Sequence, residues 1–333
     1  MKSAISRFSK RSFRASPDVA LIKYWGKKDP VLRMPENNSI SMILKGLDAF
    51  TTVEFRDDLI KDDIEIEGMQ SERETTRVVE HLDLFRKIAD VSVHAKVRSK
   101  NNFPKSTGLS SSGSGFAALT YAAAASLGRE FSEKELSIIA RRASGTACRC
   151  VCGGFVEWES GNSSETSYSQ TIYPANHWDL RDIVVILSRE TKSVSSTEGH
   201  DLAGTSSFFS VRQGHIENKL REIKKLIKQR DFTPFGELVE AEALEFHSIL
   251  FTSHPSIVAW YPGTIQVMHE VFRLRKEGIE AYFTINTGFN VHVLTSPENE
   301  KVVRERMDAL SLVQETLIAM PGEKPNEIDN HLF

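Results

Sequence analysis

The run Pro104-Lys-Ser-Thr-Gly108-Leu-Ser-Ser-Ser-Gly113-Ser-Gly115, leading straight into an alanine-rich segment that ends at Leu127, constrains this chain more than any other feature. Glycines permit positive φ and close backbone approach, and serines add hydroxyl donors. Ahead of the loop, Val91 to Arg98 alternates apolar residues on one face, so the order reads strand, polar stretch from Ser99 to Gly108, then a helix from Leu109 to Leu127. Such a loop at a helix N-terminus makes a nest for phosphate oxygens, because unpaired backbone N–H groups and the helix dipole both favour an anion. It is not a Walker A loop, since G-x-x-x-x-G-K-[ST] does not occur, nor a dinucleotide-binding fingerprint. On composition alone, a flexible Gly/Ser loop before a close-packed alanine helix accounts for it about as well.

The pattern around this loop is mixed. Ala49 to Phe55 and Ile64 to Glu67 read as strands, Ser71 to Ala89 as a helix, and Ser132 with Glu135 as a capping box opening a helix to Ala143. Gly153 to Trp158 and Ile183 to Leu187 read as short buried strands, and Val211 to Lys276 is dominated by helices. Strand character returns at Ala281 to Ile285 and Val291 to Leu294. This order argues for an α+β fold rather than regular βαβ alternation. At about 150 residues per domain, 333 residues favour two units, and the spacing places a division near residue 190. Residues 1–190 would then form a strand-rich lobe carrying the Gly/Ser loop, and 191–333 a helix-rich α+β lobe.

Charge excludes some partners. Forty-two Lys and Arg stand against 45 Asp and Glu, which speaks against a nucleic-acid partner, and no apolar run reaches the roughly 18 residues of a membrane helix. The basic stretch Met1 to Phe13 lacks the apolar core of a signal peptide, so the chain reads as cytoplasmic. Cys148, Cys150 and Cys152 are too few and too closely spaced for a disulfide framework or ordinary tetrahedral zinc; they read as small packing residues, and no metal site is expected.

Three more clusters supply donors. Ala20-Leu-Ile-Lys23-Tyr24-Trp25-Gly26-Lys27 sets two lysines four apart with Tyr and Trp between, against the plainer reading of a strand end with solvated lysines. Ser144-Gly-Thr-Ala-Cys-Arg149 ends in a guanidinium suited to carboxylate or phosphate, or to the carbonyls of a helix C-terminus. Thr191-Lys-Ser-Val-Ser195-Ser196-Thr197-Glu198-Gly199 is another donor-rich turn. Together they describe a cleft built for more than one phosphate.

These blocks, with Asn101-Asn-Phe-Pro104, Gly108 to Ser112 and Gly153 to Trp158, occur in an order that resembles the diphosphomevalonate decarboxylases of the GHMP small-molecule kinase superfamily, over about Ser16 to Leu294. The resemblance implies a two-lobed GHMP-kinase-like α+β fold with a deep central cleft, and a homodimer. It implies that Ser99, Asn101 and Asn102 lie near adenine and ribose, and that the loop with Gly108, Ser110, Ser111, Ser112 and Ser114 holds nucleotide phosphates. It further implies that Tyr24, Lys27, Ser144, Gly145, Thr146 and Ser196 bind the 5-phosphate end of a mevalonate, that Lys23 sits near the reacting 3-oxygen, and that Arg149 orients the substrate carboxylate.

One departure stands out. The family's F-D-A-G-P-N turn, whose aspartate faces the tertiary 3-hydroxyl, is here Ile285-Asn286-Thr287-Gly288-Phe289-Asn290. An amide does not accept a proton at neutral pH. The sequence therefore favours a decarboxylase of mevalonate 3,5-bisphosphate that needs no ATP or other cofactor. The alternative is an ATP- and Mg2+-dependent decarboxylase of mevalonate 5-diphosphate or 5-phosphate in which another group, such as the distant Glu157, or simple positioning replaces the aspartate. A silent ligand-binding homologue is the lesser alternative.

Overall fold

A computed structural model of the protein describes residues 8–67, 71–104, 108–190 and 194–333. Two large sheets carry all the described strands except those of one short hairpin. One has five, in the order Asn326–Glu327, Arg11–Ala15, Ala49–Arg56, His94–Asn101 and Asp63–Ile66, antiparallel except for the last pair. The other has eight: Ser169–Tyr173, Phe155–Trp158, Ser39–Lys45, Glu315–Pro321, Arg181–Ile186, Val291–Thr295 and Ala281–Thr284 in order, with Asp18–Ile22 also paired to Ser39–Lys45. Strands from both ends of the chain enter both sheets, and a short hairpin of Lys27–Asp29 and Met34–Pro35 stands apart from them.

The described α-helices are α1 (Glu72–Ala89), α2 (Ser111–Ser126), α3 (Glu133–Ala143), α4 (Ala147–Cys150), α5 (Ser196–Leu202), α6 (Phe209–Gln229), α7 (Phe232–Thr252), α8 (Pro262–Lys276) and α9 (Glu300–Asp308). Ser71 caps α1, with Glu72 and Glu74 in its first turn and Arg86 and Lys87 in its last, each charge opposing the dipole end it sits on. The expected capping box of α3 is present: Glu135 N donates to Ser132 Oγ at 3.3 Å and Ser132 N to Glu135 Oε2 at 2.7 Å. That arrangement stabilises the helix start by about 1 kcal/mol.

Helix α2 is buried on most of its surface because Ala117, Ala118, Ala122 and Ala123 let sheet and helices approach from several sides. Its core joins Val53, Phe55, Val97, Phe85 and Phe116 beneath the five-stranded sheet. A second core packs α6 and α7, through Leu220, Ile223, Ile227 and Phe235, on Leu21, Met42 and Val184. Cys150 and Cys152 belong to the first core and Cys148 packs with Tyr24 and Trp158, all three as free thiols. No described helix is long and apolar enough to cross a membrane.

One strand differs from expectation. The strand read at Val91–Arg98 runs instead from His94 to Asn101, so Ser99 and Asn101 sit in the sheet rather than in the loop. Ser99 pairs with Thr51 on one side and Ile66 on the other. Partners on both sides hold a polar segment that its own periodicity does not mark as a strand.

Candidate active site

The strand Asp18–Ile22 delivers Lys23 into a cleft that is open to solvent. Lys23 is 2% exposed. Its Nζ donates to Ala20 O at 2.7 Å, Thr284 Oγ1 at 2.7 Å and Asn286 Oδ1 at 3.2 Å. Burial, with Arg149 adding to it and Glu242 opposing it, lowers its pKa to about 7. A lysine so poised exchanges a proton near neutrality, which a solvated lysine does not.

The rest of that motif is also interior. Trp25 is buried edge-on to Phe246, and Tyr24 stacks on His200 at 4.0 Å between ring centroids. Lys27 pairs with Asp201 at 2.7 Å and its side chain is 5% exposed. The plainer reading of solvated lysines at a strand end therefore does not hold, because helices α5 to α7 fold over this segment.

Arg149, on α4, is held by Asp18 Oδ2 at 2.6 Å and Ser39 Oγ at 2.9 Å, and its guanidinium lines the cleft. Ser144 closes α3, its Oγ 3.2 Å from Thr146 Oγ1. Between them Gly145 faces the Tyr24 ring, where a Cβ would come within 3.0 Å of the ring edge.

Asn286 sits in the turn after the strand Ala281–Thr284. Its carbonyl accepts from His247 Nε2 at 3.0 Å. Burial, then the Lys23 charge, lowers the His247 pKa to about 3 and keeps the ring neutral. Thr287 Oγ1 lies 2.9 Å from Ser196 Oγ, and Asn290 Oδ1 accepts from Leu187 N at 2.7 Å, so the turn is tied to α5 and to the neighbouring strand end. Gly108, at φ +92, packs so closely on Gly288 that a Cβ would sit 2.9 Å from its Cα. The loop and the Asn286 turn are thus joined backbone to backbone.

Lys23, Tyr24, Lys27, Gly108, Ser110, Ser111, Ser112, Ser144, Gly145, Thr146, Arg149, Ser196 and Asn286 all line this one cleft. Ser99 and Asn101 line an adjoining apolar hollow with Val78 and Phe116, continuous with it through Ser111 and Ser112. Two expected residues are elsewhere. Asn102 Oδ1 accepts from Asp48 N at 2.7 Å and its amide donates to Gly46 O at 3.3 Å, so it braces a turn and lines a separate hollow near Arg14. Ser114 is fully buried, its Oγ donating to Ser111 O at 3.3 Å. Lys105 to Thr107 and Thr191 to Ser193 lie outside the described residues.

Glu157 does not replace the missing aspartate: Lys224 holds it at 3.0 Å and it does not line the cleft. The one carboxylate lining the cleft among the described residues is Glu74, bonded to Arg77 at 2.6 and 2.8 Å. Sequence reading missed Arg33, Arg73, Arg77, His200, His247 and Thr284, which no local motif marks. The cleft can therefore hold phosphates against cations and backbone amides at one wall and move a proton at Lys23.

A model of the diphosphomevalonate decarboxylase-like N-terminal domain matches residues 15–169, and one of the mevalonate 5-diphosphate decarboxylase C-terminal domain matches 182–328. The diphosphomevalonate decarboxylase of Candida albicans is 31% identical over 94% of this chain and 90% of its own length. The phosphomevalonate decarboxylase of Haloferax volcanii is 33% identical over 89% and 91%. The chain belongs to the diphosphomevalonate decarboxylase family. Its fold agrees with that of the mevalonate diphosphate decarboxylase from Enterococcus faecalis, with a TM-score of 0.87 at 36% identity over 97% of this chain and all of that one, in a structure describing mevalonate diphosphate mediated ATP binding. As a member of this family, with its GHMP-kinase fold, the protein is an enzyme, a carboxy-lyase.

Proposed function

We propose that the protein converts a mevalonate phosphorylated on C5 to an isopentenyl phosphate, with ATP first phosphorylating the 3-hydroxyl in the same cleft. The observation that carries this reading is that the Gly/Ser loop and the Lys23, Arg149 and Asn286 cluster line one continuous cleft. The relatives support it too: they are named for 5-diphospho- and 5-phosphomevalonate, and a related structure concerns ATP binding. They do not support the ATP-independent use of mevalonate 3,5-bisphosphate that the sequence alone favours.

The chemistry divides in two. In the first half, backbone amides at the start of α2 and the hydroxyls of Ser111 and Ser112 would cradle the nucleotide phosphates. A magnesium ion arriving with the nucleotide would find those hydroxyls and the engaged Glu74 as the nearby oxygen donors. The 3-hydroxyl oxygen attacks the γ-phosphorus, ADP leaves, and the hydroxyl proton passes to the neutral Lys23 amine, the one group at this turn with a pKa near neutrality. In the second half the C3–O bond breaks toward phosphate, positive charge grows at C3, and the C1–C2 bond electrons form the alkene as CO2 departs. The protonated Lys23 then faces the departing phosphate, and Arg149, fixed by Asp18, holds the carboxylate.

The amide at Asn286 favours a second reading, in which the 3-phosphate comes ready-made and no ATP is used. Supplying mevalonate 5-diphosphate and Mg-ATP and measuring ADP and CO2 separates the two. Equal ADP and CO2 supports the proposal; CO2 from the 3,5-bisphosphate with no ADP ever formed supports the second reading; ADP without CO2 sinks both.

A further inference from the structure

Three arginines outside the family motifs face the cleft: Arg33 in the hairpin turn, and Arg73 and Arg77 on α1. Arg77 is neutralised by Glu74. Arg33 and Arg73 have no carboxylate within 4.0 Å among the described residues, whereas Lys27 has Asp201 and Arg149 has Asp18. Two cations are thus left over at one wall.

Arg33 is the more constrained of the pair. Its backbone takes a left-handed φ of +52, which costs a non-glycine residue energy and is kept where surrounding structure holds it. Its Nε donates to Arg142 O at 2.9 Å, one turn position before the end of α3 and two residues from Ser144. Burial and then the Arg77 charge lower its pKa; Glu80, beyond ion-pair distance across a neighbouring hollow, opposes them only in part. Tyr24 is also among the groups acting on it. Arg33 therefore stands in the cleft beside Tyr24 and the end of α3 that leads to Ser144.

We propose that Arg33, seconded by Arg73, is a specificity-determining residue that receives the outer phosphate of a C5 diphosphate, so that the enzyme selects a diphosphorylated over a monophosphorylated mevalonate. This rests on the reading of the Tyr24 and Ser144 end as the C5-phosphate end. Lys27, paired with the exposed Asp201, receives the first phosphate together with the Ser144 and Thr146 hydroxyls. A second phosphate adds charge and oxygen acceptors that match the planar fork of a guanidinium with no carboxylate partner.

The test compares wild type with Arg33→Asn, since asparagine tolerates the left-handed backbone and removes the charge. Wild type should favour mevalonate 5-diphosphate over 5-phosphate in kcat/KM, and Arg33→Asn should erase roughly tenfold or more of that preference through KM for the diphosphate alone. Arg33→Lys should fall between them, and thermal unfolding of each variant shows whether it folds. Equal losses on both substrates, no loss, or a rise only in KM for ATP would overturn the proposal. Calorimetry with inorganic pyrophosphate gives an answer independent of turnover: binding should weaken about tenfold in Arg33→Asn while orthophosphate binding stays the same. An unchanged pyrophosphate affinity overturns the role of Arg33 even if decarboxylation proceeds. Lost pyrophosphate binding upholds it even if wild type turns over neither substrate, which would refute the proposed reaction instead.

Discussion

Lys23 and Asn286 form the pair on which the chemistry turns. Burial moves the Lys23 pKa from 10.5 to about 7, so the amine loses its proton as pH rises through neutrality. If the neutral amine accepts the 3-hydroxyl proton, kcat/KM for ADP formation rises through about pH 7; a rate that falls over that range would mean the charged form is required. Lys23→Arg, permanently protonated, should lower kcat by roughly 100-fold or more in the same assay. Asn286→Asp places a carboxylate beside Lys23 Nζ that keeps the amine charged and takes over as proton acceptor, so the rising limb near pH 7 should give way to one in the acid range. An unmoved limb would separate Asn286 from the proton transfer. Stability carries its own sign. The folded chain binds fewer protons at Lys23 than the unfolded chain between about pH 7 and 10.5, so stability rises with pH across that window and Lys23→Met should flatten the slope in urea titrations.

At the scale of elements, the site depends on contacts that hold its segments together. The backbone of Lys23 is bracketed by helices: its N–H donates to Glu242 Oε1 at 3.0 Å on α7, and its carbonyl accepts from Arg212 at 2.8 Å on α6. Arg212 and Glu242 are themselves a fully buried ion pair. Glu242→Gln leaves Arg212 uncompensated and should cost about 3–5 kcal/mol in urea unfolding; a cost near zero would mean that Lys219 or water takes up the charge. Gly108→Ala forces a Cβ against Gly288 and should part the loop from the Asn286 turn, lowering kcat by as much as about 100-fold with little loss of stability. The α3 capping box was legible in the sequence because its four residues are adjacent and its chemistry local. The strand end at Ser99 and Asn101 was not, because its ladder partners, Thr51 and Ile66 for Ser99 and Ala49 for Asn101, lie far away in sequence. Ser114 was misread for want of a helix register: Ser110, in a left-handed conformation, starts α2 in a way that puts Ser111, Ser112 and Gly115 outward and Ser114 into the core.

For the whole molecule, the cleft exists because distant segments are sewn into shared sheets. Ser39–Lys45 pairs with Asp18–Ile22, with Phe155–Trp158 and with Glu315–Pro321, bringing the Lys23 segment, the Arg149 segment and the far end of the chain together. The ordered motifs made the α+β class and most of the cleft lining legible, since each carries its donors within a few residues. Arg33 and His247 were not, because only the hairpin and helix α7 bring them to the site. The account's central claim is that one cleft both adds and removes the 3-phosphate despite the amide at position 286. Single-turnover reaction of the enzyme with mevalonate 5-diphosphate and ATP labelled in the γ-phosphate tests it most directly. The account predicts that the label leaves ATP and appears as inorganic phosphate in the same amount as CO2. If CO2 forms only from added mevalonate 3,5-bisphosphate while every labelled phosphate stays on ATP, the claim is contradicted.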